Sequence, residues 1–347
     1  MNPYDSLPPG QFWRRSVSRI SRFEFDPVLS PKFKIAQKER IATAGSCFAQ
    51  HIAKKLRQIG FNYYVPEAGE GLSEPDRRRR NYGVFSARFG NLYTSRQLLQ
   101  LLREAYGQRD PAEKAWLRQD GRYVDPYRPA IEPDGFARPE DVAKARESHL
   151  EYVRTMFEKA DLFIFTLGLT ECWMSRRDES VFPLAPGVAG GAFDPDLHAF
   201  ANLTVADVES DLEAFLDGFR SVNPAARVLF TVSPVPLIAT YEPRNVLVSS
   251  TYSKSVLRVA VERFWRERNW VEYFPSYEII TGSFNGGVYY ENDGREVNQA
   301  GVSHALRCFV RNYAIGNSQA AKQAPPKDYG SDWELVCEEE ALEQIRV

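Results

Sequence analysis

Residues 41–51, Ile-Ala-Thr-Ala-Gly-Ser-Cys-Phe-Ala-Gln-His, decide how this chain is read. A short apolar run, Arg40 to Gly45, has strand character and ends in Gly45-Ser46-Cys47. A helical segment, Phe48 to Ile59, follows at once, with Ala49, Ile52, Ala53 and Leu56 at helical spacing and Gly60 as its C-terminal cap. A hydroxyl and a thiol therefore stand on a strand-to-helix turn. Amide groups at a helix start favour negative charge, so they lower a thiol pKa or stabilise an oxyanion. A nucleophile belongs on such a turn. The plainer alternative is a turn of small residues with an inert buried Cys.

Working outward, the same alternation recurs. Phe61 to Val65 is strand-like, Thr94 or Ser95 caps a helix to Ala105, and Pro139-Glu140 open a helix to about Lys159. Leu162 to Leu167 is continuously apolar, as in a strand buried on both faces of a parallel sheet. Thr204 to Ser221 and Ser253 to Arg268 read as helices, Val228 to Val232 and Trp270 to Phe274 as strands, and Asn298 to Tyr313 as a last helix. This pattern predicts an α/β fold with a mostly parallel sheet, in which sites lie beyond the carboxyl ends of the strands. Three polar strand ends then converge: Gly45-Ser46-Cys47, Gly168-Leu169-Thr170-Glu171 and Thr231-Val232-Ser233-Pro234.

Residues 1–39 read as an irregular arm, 40–316 as the α/β domain, and 317–347 as an acidic tail, partly disordered or a peripheral helix near Trp333 to Ile345. Within the domain, 66–139 is a loop-rich insertion or lid, and 175–203 a second Gly/Pro-rich loop. Arg77 to Arg80 form either a solvated loop or a contact for an anionic ligand, since Arg forks match carboxylate and phosphate.

The chain has 347 residues and a net charge of −2, which gives no bulk signal for nucleic acid or an anionic membrane. No apolar run is long enough to span a bilayer, and Met1 to Gly10 has no secretory apolar core, so a cytoplasmic protein is expected. Cys47, Cys172, Cys308 and Cys337 do not sit at metal-ligand spacing, nor do His51, His149, His198 and His304 cluster, so no metal is expected. Oligomeric state is not legible.

Ala44-Gly45-Ser46-Cys47-Phe48-Ala49 resembles the signature of the GSCFA domain family, which is distantly similar to the SGNH (GDSL-like) hydrolases. Phe89-Gly90-Asn91-Leu92-Tyr93-Thr94, Thr166-Leu167-Gly168, Thr231-Val232-Ser233-Pro234-Val235 and Tyr273-Phe274-Pro275-Ser276-Tyr277-Glu278 are similar to it as well, in order, over about residues 40 to 315. The resemblance implies a flavodoxin-like three-layer α/β/α sandwich and acyl transfer to water or another acceptor. It implies Cys47 as nucleophile, with Ser46 the other candidate. It implies Gly90 and Asn91 at an oxyanion block and Thr170 in place of an oxyanion Asn; Ser233 joins this substrate-binding set. The last SGNH block fails: Asp293 can fill the Asp position, but Glu296 stands where a His is expected, and His304 comes about two turns later.

A thiol needs less help than a hydroxyl. His51, four residues after Cys47, shares its helix face, so a Cys47–His51 pair with Glu171 orienting it or acting as base is the expected substitute. The plainer readings are a surface His51 and an ion-paired Glu171.

The first expected function is an esterase or O-acyltransferase, with a small-molecule acyl donor and a carbohydrate acceptor. No cofactor is required, and acyl-coenzyme A is a possible co-substrate. Loop aromatics (Trp116, Tyr123, Tyr127, Phe136, Trp173, Tyr289, Tyr290) favour a sugar, and Arg77 to Arg80 would meet donor phosphates. The second is a non-catalytic carbohydrate-binding or scaffold protein on a degenerate SGNH fold. A third is a redox pair of Cys47 with Cys172.

Overall fold

The strand Leu162–Leu167 is buried at all six residues, and its side chains alternate between two cores. Phe163, Phe165 and Leu167 enter one core, Leu162 and Ile164 the other. That alternation needs helices on both faces of the sheet, because a strand's successive side chains point opposite ways. The computed structural model describes residues 2–315 and 338–342 and has this three-layer arrangement.

In chain order, β1 (Ile41–Gly45) runs into α1 (Cys47–Gln58), followed by α2 (Glu74–Arg79) and α3 (Ser95–Ala105). The strands β2 (Trp116–Leu117) and β3 (Tyr123–Val124) pair as an antiparallel hairpin. Next come α4 (Pro139–Lys159), β4 (Leu162–Leu167), β5 (Glu171–Ser175), β6 (Val181–Phe182) and β7 (His198–Asn202). The chain continues through α5 (Val205–Val222), β8 (Arg227–Val232), α6 (Val246–Glu267), β9 (Val271–Tyr273), α7 (Ser276–Thr281) and α8 (Gln299–Tyr313).

The main sheet has the order β1-β4-β8-β9, all parallel. The larger core packs α3, α4, α5 and α6 on one face, and the second packs α1, α7 and α8 on the other. Capping boxes at Thr94 and Thr204 start α3 and α5, so of the two caps expected for α3 the structure uses Thr94.

The predicted strand Phe61 to Val65 is reduced to a single parallel bridge of Tyr63 to Ile41. The outer edge of β1 is completed piecemeal. Ile41 exchanges bonds with Asn62 and Tyr64, Thr43 N–H donates to Ser86 Oγ (2.9 Å), and Gly45 O accepts from Leu92 N–H (3.0 Å). With Tyr63 counted, the strand order is flavodoxin-like, and its reversal falls between β1 and β4.

Two other expectations change. Residues 175–203 are not only loop: β6 and β7 pair with β5 in a second, antiparallel sheet of order β6-β5-β7. The helix expected from Ser253 begins at Val246, where Asn245 accepts a bond from Leu247 N–H. The Ser- and Val-rich first two turns have weak helix propensity, and packing on α5 and β8 decides instead. The arm is stitched to α8, with Ile35 bonded to Tyr313 and Ile315, and His304 Nε2 donating to Phe25 O (2.6 Å). Of the helix expected near Trp333 to Ile345, the described part is a short 3-10 turn, Glu338–Leu342; the rest lies outside the described residues. No helix among the described residues is long and apolar enough to cross a membrane.

Candidate active site

Ser46 and Cys47 stand where β1 turns into α1. Gly45 has φ +132°, and a Cβ there would collide with the Thr166 carbonyl oxygen, so only glycine lets β1 pass this close to β4. Ser46 N–H donates to Thr166 O (3.1 Å), and Ser46 is the N-cap of α1. Its side chain makes no capping bond, and Oγ is buried without a hydrogen-bond partner. Cys47 is the first residue of α1 and is buried. The amide dipoles of a first helical turn favour a thiolate at this position.

Two further strand ends close around this turn. Gly168 N–H and Leu169 N–H both donate to Tyr93 O (2.8 and 3.2 Å), and Ser233 N–H donates to Leu167 O (2.8 Å). Ser46, Cys47, Tyr93, Gly168, Leu169, Ser233, Val235, Pro236, Leu237, Lys254 and Glu339 line one small pocket. Gly90 is not among these lining residues; it has φ +73°, and its backbone lies against the Glu338 carboxyl. A buried charge cluster fixes this stretch. Arg88 N–H donates to Glu67 Oε2 (2.6 Å), Arg88 O accepts from Arg128 (3.2 Å), and Arg128 pairs with Asp125 (2.7 Å). His149 Nδ1 donates to Glu67 (2.7 Å), and burial pushes this imidazole down to about 4, so it is neutral at pH 7.

Lys254, on α6, is the residue that sequence reasoning missed. It is buried and its ammonium donates to Gly168 O at the floor of the pocket. Burial pulls its pKa down to about 8, against the opposing pull of Glu339 and Cys47. A lysine poised near neutrality beside a thiol is a candidate base. A signal was present in the sequence: Ser249, Ser250, Ser253 and Lys254 form a helix face without apolar residues, and all four are buried.

The expected partners of Cys47 lie elsewhere. His51 is on α1, edge-on to Phe48 (5.6 Å between rings), and does not line the pocket; burial and Lys54 push it down to about 4. The Glu171 carboxylate accepts from Thr240 Oγ1 (2.6 Å) and Tyr241 N–H (3.1 Å), which occupies both oxygens outside the pocket. Thr170 donates to Asn202 (2.7 Å) rather than into the pocket. Asn91 is fully buried and meets Gln50 at 3.4 Å. Asp293 shapes a turn by accepting from Arg295 N–H and Glu296 N–H, and His304 is held by Tyr289 and Phe25. The redox pairing fails on burial. Cys172 packs in the larger core with its thiol pushed up to about 12, and no disulfide joins it to Cys47. The arginine run is engaged in ion pairs: Arg77 and Arg78 with Glu74, Arg79 with Asp134, Arg80 with Glu132. No cluster of metal-ligating side chains occurs among the described residues.

Fold and site together define an α/β protein with a thiol at the switch point of a parallel sheet. The GSCFA family model matches residues 40–309, and the chain belongs to the GSCFA family. No curated protein matches it. Among solved structures it is similar to a serine-to-alanine mutant of an acetyl esterase with acetate ion. That likeness has 12% identity, covers 62% of this chain and 86% of the other, and has a TM-score of 0.27.

Proposed function

We propose that this protein is an acyl-handling enzyme, an esterase or O-acyltransferase, in which Cys47 is the nucleophile and Lys254 the base. One observation carries this: a thiol at a helix start shares its pocket with a buried lysine whose pKa is about 8. Neutral Lys254 takes the Cys47 proton, and the thiolate adds to the acyl carbonyl. The leaving group departs with the proton from Lys254, leaving a thioester on Cys47. An acceptor hydroxyl or water then gives its proton to Lys254, attacks the thioester and restores the thiol.

Acyl-coenzyme A is the proposed donor and a carbohydrate hydroxyl the proposed acceptor, in a cytoplasmic setting. Support for the sugar comes from Val235, Pro236 and Leu237, which line the pocket, and from Tyr241 four residues on. Tyr241 is exposed and packs on Trp173 and Phe200 (4.8 and 5.2 Å between rings), an aromatic face of the kind on which sugars stack.

The test is intact-mass spectrometry after exposure to an activated acetyl ester and to acetyl-coenzyme A. An adduct of about 42 Da is expected on the native chain and on Ser46→Ala, and none on Cys47→Ala. Its formation from the coenzyme donor selects transferase over esterase. Absence from every donor, with Cys47 open to alkylation, replaces this reading with a non-catalytic carbohydrate-binding protein, to which the missing final His already points.

A further inference from the structure

The 3-10 turn Glu338–Leu342 carries three consecutive glutamates, and two of them are buried: Glu338 is 6% and Glu339 8% exposed. Buried carboxylates are costly unless well paired. Glu339 Oε2 accepts from Arg295 Nη2 at 2.9 Å, feels the Lys254 ammonium, and lines the pocket with Cys47. Glu338 Oε1 stands 2.9 Å from where a Cβ on Gly90 would be, so its carboxyl rests on the Gly90 backbone. Of these two adjacent acids, Glu339 therefore takes up the cationic side of the nucleophile's pocket, and Glu338 rests on the Gly90 backbone. An apolar side chain would fill this space at lower cost. Arg295 comes from the loop in which the SGNH pattern expects the catalytic His. Its planar fork suits a carboxylate, and Lys254 adds a second positive charge.

We propose that Arg295 forms a carboxylate-binding subsite of the Cys47 centre, joined by Lys254 once it has taken the Cys47 proton, that the substrate carries a carboxylate beside its reacting group, and that Glu339 holds this subsite as an internal competitor until substrate displaces it. The proposal rests on the reading of Cys47 as the reacting thiol. It adds a substrate class, anionic at the reacting end, and a built-in contact that keeps the thiol covered in the absence of substrate.

The experiment follows the rate of Cys47 alkylation by iodoacetamide, mapped by peptide mass, in the full-length chain. Glu338→Ala/Glu339→Ala is expected to react at least about tenfold faster than the native chain, since loss of one charged pairing is worth a decade or more. Succinate slows the variant again, sodium chloride at matched ionic strength does not, and adding Arg295→Met removes the succinate effect. An unchanged rate in a variant that still unfolds cooperatively overturns the proposal, as does succinate protection that survives Arg295→Met. Protection by inorganic phosphate where succinate fails replaces the carboxylate with a phosphate. Should the double variant not fold, Arg295→Met in the native chain must itself speed alkylation, and an unaltered rate there overturns the proposal. Alkylation reads the access and ionisation of the thiol, not acyl chemistry. Absence of any acyl adduct with these results intact removes the enzyme reading only, whereas an adduct without succinate protection removes the subsite only.

Discussion

Lys254 offers the sharpest quantitative test, because its charge has been moved into the protein interior. Its pKa falls from 10.5 to about 8 on burial. At about 1.4 kcal/mol for each pH unit, this makes about 3 kcal/mol of disfavoured charge in the native state. Below pH 8 the lysine is protonated in both folded and unfolded chains, and the native state carries the full cost. Between pH 8 and 10.5 the native state releases the proton first, so the unfolded chain binds more protons and native stability rises with pH. Lys254→Met lacks this contribution. Urea unfolding of the two chains, both carrying Cys47→Ala so that the neighbouring thiol does not titrate, should therefore give stabilities that diverge by about 3 kcal/mol between pH 7.5 and 10.5, with the lysine chain gaining. Curves that stay parallel within about 1 kcal/mol across that range would refute the assignment of a buried, depressed Lys254.

Acylation of Cys47 should show the same ionisation from the chemical side. Its rate is expected to climb about tenfold per pH unit below about 8 and to level off above, and stopped-flow measurement on Lys254→Met should lose that dependence. At the acid end, His149 is neutral in the native state with its pKa near 4, against 6.5 when unfolded. Stability is then expected to fall by about 3 kcal/mol as pH drops from 6.5 to 4, because the unfolded chain takes the proton first. His149→Gln should flatten that limb in urea titrations, and an undiminished slope would show that other groups cause it.

What the sequence disclosed was local. The run Leu162 to Leu167, the helix start at Thr94 or Ser95, the helix from Thr204 and the Gly45-Ser46-Cys47 turn each carry their signal within a few residues, and the structure has a strand, two helix starts and a strand-to-helix turn there. The second sheet was missed because β6 is two residues long and its pairing with β5 is settled by tertiary packing. Lys254 stands in mid-helix in no motif, and its meaning comes from lying under Gly168, which is remote in the chain. His51 had the opposite fate: helical spacing made it a plausible partner of Cys47, but it lies against Phe48 and away from the pocket. Sequence spacing fixes which residues share a helix, whereas the direction of each side chain depends on what the helix packs against.

The piecemeal border of β1 also bears on solubility. A strand at the rim of a sheet presents open amides and carbonyls that invite another chain to dock, a common beginning of aggregation. Here Ile41, Thr43 and Gly45 are matched one at a time by a backbone bridge, a serine hydroxyl and a loop amide from three separate places. An incoming strand, which needs every second group of the ladder at once, finds none of these three positions vacant. The hydroxyl of Ser86 thus guards against self-association, and its amide partner Thr43 is the position at which hydrogen exchange would first register a breach.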